Sequence, residues 1–188
     1  DPTAPPGSGF TLQDGTPVMD MTTSSYYPGF ENSARNLFTS DPKEYENPLK
    51  DWASADGNLP NQAESVTLQF QGPRRVTQYT LISSIHNPSL NPAAWVLEGS
   101  TDGSTWTTLD SHTSDRTEYF KTQAQVSRTY AIQSSAMVTY VRLTILKTWY
   151  ENAPNGYRVD LAGWDLRTTT TAPAPTAAPT APPSVPQV

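Results

Sequence analysis

Histidine, cysteine and clustered carboxylates supply most enzymatic chemistry, and this 188-residue chain holds little of it: His86 and His112 are its only histidines, and it has no cysteine. Thiol nucleophiles, disulfides and Cys- or His-rich zinc sites are thereby excluded. A Ser-His-Asp triad would rest on one of two imidazoles, with no nucleophile-elbow motif beside either. Glu44, Glu46, Asp51 and Asp56 gather in one stretch, where paired carboxylates could in principle cleave a glycoside. A solvated acidic loop is the simpler reading, since charged residues default to the surface. The chain is therefore expected not to be an enzyme. Twelve basic against eighteen acidic residues give a formal charge of −6, and Arg74-Arg75 is the only adjacent basic pair. That balance argues against nucleic acid and anionic membranes as partners. Membrane insertion is not expected either, because no apolar run approaches the roughly 18 residues that a spanning helix needs.

The elements that must position any site are β-strands. Residues 95–106 read WVLEGSTDGSTW, in which Trp95 and Leu97 share one face, Val96 and Glu98 the other, and Asp102-Gly103 supplies the positive φ of a hairpin turn before Trp106 begins the return strand. Further strands are expected near 17–23, 64–70, 75–84, 94–99, 104–110, 126–132, 137–147 and 157–166, with Val66, Leu68 and Phe70 alternating inward. A short helix is expected at 32–38, capped by Asn32 or Ser33, with Ala34, Leu37 and Phe38 facing the core. Trp95, Trp106 and Trp164 stand at strand-periodic positions and are read as core. About eight short strands between turn signals describe an all-β sandwich.

The order Tyr79-Thr80-Leu81, then Pro92, Trp95, Leu97, Gly99-Ser100, Asp102-Gly103, Trp106 and Leu109, then Tyr140-Val141-Arg142-Leu143 resembles the discoidin-like domains (coagulation factor 5/8 type C, galactose-binding-like). The resemblance covers about residues 30–167 and is most specific over 79–143. It implies a discoidin-like β-sandwich, a jelly roll, and it extends to the family 32 carbohydrate-binding modules. Those relatives bind sugar in a shallow site made by loops at one end of the sandwich. A pyranose has an apolar C–H face that stacks on an aromatic ring, and hydroxyls that need paired donors and acceptors. Two loops carry suitable residues: 83–92 with His86, Asn87 and Asn91, and 147–158 with Trp149, Tyr150, Asn152, Asn155, Tyr157 and Arg158. Trp149 and Tyr150 serve equally as a binding platform or as loop-packing anchors. Asn87-Pro88 and Asn91-Pro92 are equally turn formers, and His86 a hydrogen-bonded turn residue.

Many discoidin-like domains also hold calcium beside a Leu-Phe-Asp-Gly-Asp segment. Here Thr39 and Ser40 replace Asp-Gly, Asp41 alone remains as a calcium candidate, and the late Leu-Ala-Glu is Leu161-Ala162-Gly163. A hard cation that wants six to eight oxygens loses its anionic ligands, so no cofactor is expected.

Both ends differ in kind from the middle. Residues 1–9 and 168–188 are built from Pro, Thr, Ala and Ser and read as extended linkers around a sandwich at 10–167. Pro2-Thr3-Ala4-Pro5-Pro6 recurs as Pro179-Thr180-Ala181-Pro182-Pro183. Chance from biased composition and a repeating array explain that equally. Thr168, Thr169, Thr170, Thr171, Thr176, Thr180 and Ser184 suit O-glycosylation on a stalk. No permitted N-glycosylation sequon exists, because Asn87-Pro88-Ser89 carries the forbidden proline. The chain begins at Asp1 without Met or signal peptide, and the expectation is a piece of an exported protein, secreted or at the cell surface. Two functions follow: an adhesion module for glycans, or a structural protomer whose partners are copies of itself in an O-glycosylated fibre joined head to tail.

Overall fold

The structure, a computed structural model, describes residues 9–25, 33–38, 52–55, 62–84, 88–113, 126–150 and 158–171. Among the described residues nine strands follow one another as β1 (Phe10–Thr11), β2 (Pro17–Thr23), β3 (Trp52–Ala53), β4 (Glu64–Ser83), β5 (Pro92–Ser100), β6 (Thr107–His112), β7 (Ser127–Ala131), β8 (Val138–Thr148) and β9 (Asp160–Thr169). A helix, α1 (Ser33–Asn36), lies between β2 and β3, and a 3-10 turn, Pro88–Leu90, leads into β5. Every pairing is antiparallel. One layer runs β1-β2-β4-β8-β5-β6, and the second pairs β3 with β9, β9 with β4 and β4 with β7. The expected sandwich is present.

The two expected strands at 64–70 and 75–84 are one. β4 is 20 residues long, pairs with β2 and β8 through its first half, and pairs with β9 and β7 through its second. Its register against β8 shifts between Gln69 and Arg74, and against β9 between Val76 and Gln78. Gly72-Pro73 falls in that transition, where one residue has no Cβ and the other no N–H to offer either ladder. The strand thus passes from one layer to the other without a loop.

Between the layers Val66, Leu68, Phe70, Tyr79 and Leu81 of β4 meet Trp95 and Leu97 of β5, Val141, Leu143 and Ile145 of β8, and Leu161, Trp164 and Leu166 of β9, all fully buried. α1 closes one side with Ala34 and Leu37 buried, Phe38 5.5 Å from the Trp164 ring, and the Trp164 amide donating to the Leu37 carbonyl at 2.8 Å. The expected capping residue Asn32 lies outside the described residues.

Trp106 corrects the expectation that it is core: it is half-buried on the outside, with the Arg142 guanidinium 4.0 Å from its ring centre. The cause is a bulge. Glu98 pairs with Thr108 but Leu97 with Asp110, so Leu109 is an extra residue. Trp106 shares the outward parity of Thr108, while Asp110 turns inward. There the Trp95 indole N–H donates to the Tyr79 hydroxyl at 2.8 Å, and that hydroxyl donates to Asp110 at 2.8 Å. Burial, despite the Trp95 hydrogen bond, and then the neighbouring Asp110 carboxylate push the Tyr79 phenol well above its ordinary range, so it stays a donor.

At one pole the turn before β2 is tied to the end of β9. Asp14 accepts from the Thr16 amide at 2.9 Å and the Thr168 amide at 2.7 Å, and the Thr16 and Thr168 hydroxyls share a hydrogen bond of 2.7 Å. Gly15, at φ 85°, makes the turn that brings Asp14 round. Thr168 and Thr169 therefore belong to β9, paired with Val76 and Arg75. This corrects their assignment to an extended linker beginning at 168.

Two outcomes test this packing. Tyr79→Phe leaves the Trp95 indole N–H without its acceptor and should cost about 1–3 kcal/mol of unfolding free energy, read by urea denaturation; an unchanged midpoint would show that the network does not hold the layers. The Asp14 carboxyl is raised by burial, but hydrogen bonds from Thr16 and Thr168 and the charge of Arg167 outweigh this and hold it below its ordinary value of 3.8. Its contribution is present above the unfolded value and is lost as pH falls through the lowered folded value. Asp14→Asn should thus be less stable than the parent at pH 6, with the gap closing below pH 3.8. A gap independent of pH would contradict the assignment.

Candidate carbohydrate-binding site

At the opposite pole the strand ends converge and hold the roots of both loops singled out in the sequence. Pro92, at the start of β5, pairs with Thr148 at the end of β8, so the segment before β5 and the segment after β8 leave the sheet side by side. Asn91 is fully buried there: its side-chain oxygen accepts from the Ser84 amide at 2.7 Å, and its amide nitrogen lies 3.5 Å from the Ser84 carbonyl. Asn91 therefore braces the loop from beneath and offers no surface to a ligand. Its side chain imitates a strand partner where β4 has ended, the behaviour that makes Asn a turn residue.

Arg158 reaches the same pole through β9. Its Nε lies 2.8 Å from Asp160 Oδ1, and its Nη2 donates to Oδ2 at 3.4 Å. Asp160 is almost wholly buried while the Arg158 side chain keeps about a quarter of its surface. A forked contact of this kind fixes the plane of the guanidinium. Beside it the Val159 amide donates to Ser54 Oγ at 2.9 Å, and the Ser54 amide to the Val159 carbonyl at 3.0 Å. Glu64, the first residue of β4, is fully buried at this pole and accepts from the hydroxyls of Ser24 and Ser25, the latter at 2.7 Å. Ser25 Oγ in turn accepts the Ala55 amide at 3.0 Å.

Of the expected platform, Tyr150 is 44% exposed, one of two large hydrophobic residues so placed among the described residues. Trp149 is half-buried with its indole nitrogen covered. His86, Asn87, Asn152, Asn155, Tyr157 and the calcium candidate Asp41 lie outside the described residues. Sequence reasoning missed Glu64, Ser54 and Asp160. Glu64 was legible, since it shares the inward parity of Val66, Leu68 and Phe70; Ser54 was not, because its partner is 105 residues away.

Elsewhere, His112 stacks on Trp95 at 4.7 Å and lies 3.0 Å from Asp110, and no serine hydrogen-bonds to it among the described residues. Nor do three or more His, Asp or Glu side chains there gather as a metal-binding group. No helix among the described residues is long and apolar enough to cross a membrane.

The chain belongs to the F5/8 type C domain family, whose pattern matches residues 20–161. No curated protein matches the sequence. Solved structures do resemble the fold. One is CpGH89CBM32-5 from Clostridium perfringens, in complex with GalNAc-beta-1,3-galactose: 18% identity, TM-score 0.55, covering 78% of this chain and 93% of that one. A second is the family 32 carbohydrate-binding module of C. perfringens NanJ, in complex with galactose: 8% identity, TM-score 0.55, covering 78% and 90%. A third is allantoicase from Saccharomyces cerevisiae, at 17% identity and TM-score 0.55, covering 86% of this chain and 44% of the allantoicase chain. At such identities the likeness is one of fold.

Asn91→Ala should cost about 1–3 kcal/mol, the penalty for orphaning a buried donor. Hydrogen exchange at the Ser84 amide should accelerate beyond the global loss of stability. Unchanged exchange at Ser84 would show that Asn91 does not brace the loop.

Proposed function

We propose that this domain is a non-catalytic, extracellular carbohydrate-binding module that recognises its glycan through the loops at 83–92 and 147–158. The observation that carries the reading is the meeting of the two loop roots at Pro92 and Thr148, two residues before exposed Tyr150, at the pole where Asp160 clamps Arg158. Ring face and fixed donor are the two things a pyranose requires. Galactose and GalNAc-beta-1,3-galactose in the two Clostridium perfringens modules support the ligand class. His86, Asn87, Asn152, Asn155 and Tyr157 complete the site in this reading. Asn91 supports it from below.

Export accords with the Pro/Thr/Ala-rich ends. Exposed Thr169, Thr170 and Thr171 suit O-glycosylation, together with Thr176, Thr180 and Ser184. Thr168 suits it less, because its hydroxyl is engaged by Thr16. The second reading, a structural protomer of an O-glycosylated fibre joined through its linkers, is supported by the repeated Pro-Thr-Ala-Pro-Pro. Deleting residues 172–188 should abolish assembly in that reading and leave glycan binding intact in the first.

A glycan array followed by calorimetry tests the site. Tyr150→Ala and Tyr157→Ala should each weaken binding by about 1–3 kcal/mol, the scale of an aromatic anchor, without loss of fold. Trp149→Ala should lower stability as well. Unchanged affinity in both tyrosine variants would eliminate the platform.

A further inference from the structure

The outer face of the β1-β2-β4-β8-β5-β6 layer carries a groove of about 470 Å³ that the loop site does not include. Val96, Glu98, Thr108, Arg142, Thr144 and Leu146 line it. Register assembles them: Glu98 pairs with Arg142 and Val96 with Thr144 across β5 and β8, and Thr108 of β6 pairs with Glu98. Arg142 approaches Glu98 Oε2 with Nε at 2.9 Å and Nη2 at 2.9 Å, and Thr144 Oγ1 donates to that same oxygen at 3.1 Å. Three donors thus converge on one carboxylate oxygen. Oε1 of Glu98 and Nη1 of Arg142 have no hydrogen-bond partner among the described residues. Trp106 covers one face of the guanidinium at 4.0 Å and holds its plane.

The result is an ion pair whose charges cancel, with Oε1 of Glu98 as an acceptor and Nη1 of Arg142 as a donor on the far edge of the guanidinium, lined also by Val96 and Leu146. Hydroxyls of a glycan match it: one donates to Oε1, another accepts from Nη1, and an apolar C–H face lies on the aliphatic side chains. Internal neutralisation selects against a charged ligand, and the volume falls in the ordinary range of about 300–1,000 Å³ for small-molecule sites. We propose that this groove is a second saccharide site, for a neutral pyranoside of a glycan chain. It shares the ligand class of the loop pole but does not depend on it. β8 carries Thr144 in the groove and Thr148 at the pole, about 13 Å apart at strand rise, so one oligosaccharide can occupy both.

The test is an NMR titration of the whole chain with galactose, GalNAc-β-1,3-galactose, cellotetraose and mannotetraose, each to about 50 mM, which covers millimolar dissociation constants. At least one should move the Trp106 indole and the Val96, Glu98 and Thr144 amides saturably. Glu98→Gln and Arg142→Lys should each weaken that response about tenfold, the scale for losing a charge-assisted hydrogen bond, while responses at Ser84 and Tyr150 persist. Thr108→Val, outside the ion pair, should weaken the groove response about threefold and decides the matter if the other two fail to fold. Responses at the pole with none on the groove for all four sugars would overturn this site and leave the loop reading standing. Responses on the groove with a silent pole would do the reverse, and silence at both would remove both.

Discussion

The architecture depends on one continuous strand that belongs to two sheets. Because β4 pairs with β2 and β8 along Glu64–Arg74 and with β9 and β7 along Arg75–Ser83, the layers cannot slide or separate without breaking its ladders. The same strand sets the polarity of the molecule. Its two ends, Glu64 and Ser83, both lie at the loop pole, and its bend near Gly72-Pro73 lies toward the pole of Asp14 and Thr168.

Polar groups complete what apolar burial begins. A sandwich with no disulfide must hold its layers by packing, and here directed contacts add to it: Trp95 to Tyr79 to Asp110 near the β6–β7 side, and Glu64 with Ser24 and Ser25 at the loop pole. Each buried carboxylate accepts hydrogen bonds, which is the condition for burying it at tolerable cost. At the pole this bracing gives the neighbouring loops stiff roots. Preorganisation of that kind matters for weak ligands such as single sugars, where little binding energy is left to order a site.

Much of this was legible in the sequence, because alternation of apolar side chains reports strands directly. β2, β5, β7 and β8 fall within two residues of their expected bounds, and α1 lies inside its expected range. Trp95 and Trp164 are core as their periodicity indicates. Trp106 is not, since a one-residue bulge at Leu109 reverses its face and no local signal announces a bulge. Nor could alternation tell that 64–70 and 75–84 are one strand, because Gly and Pro between them read as a turn. Thr168 was assigned to a linker by composition, but its partner Asp14 is 154 residues away. Of the candidate site, the two loops were proposed from their residue types and from the family resemblance. Their bracing by Asn91, Asp160 and Ser54 was not, being made by contacts distant in sequence or hidden beneath the surface.

The proposed site puts saccharide recognition at the pole opposite Asp14 and Thr168, beside exposed Tyr150 and above buried Asn91. Its most direct test is a crystal structure of the domain with the highest-affinity ligand from a glycan array. The account predicts a sugar ring seated between the loops rooted at Pro92 and Thr148, in contact with Tyr150 and within hydrogen-bonding distance of Arg158. A ligand bound only at the pole of Asp14 and Thr168, or no protein-bound sugar at saturating concentration, would contradict it.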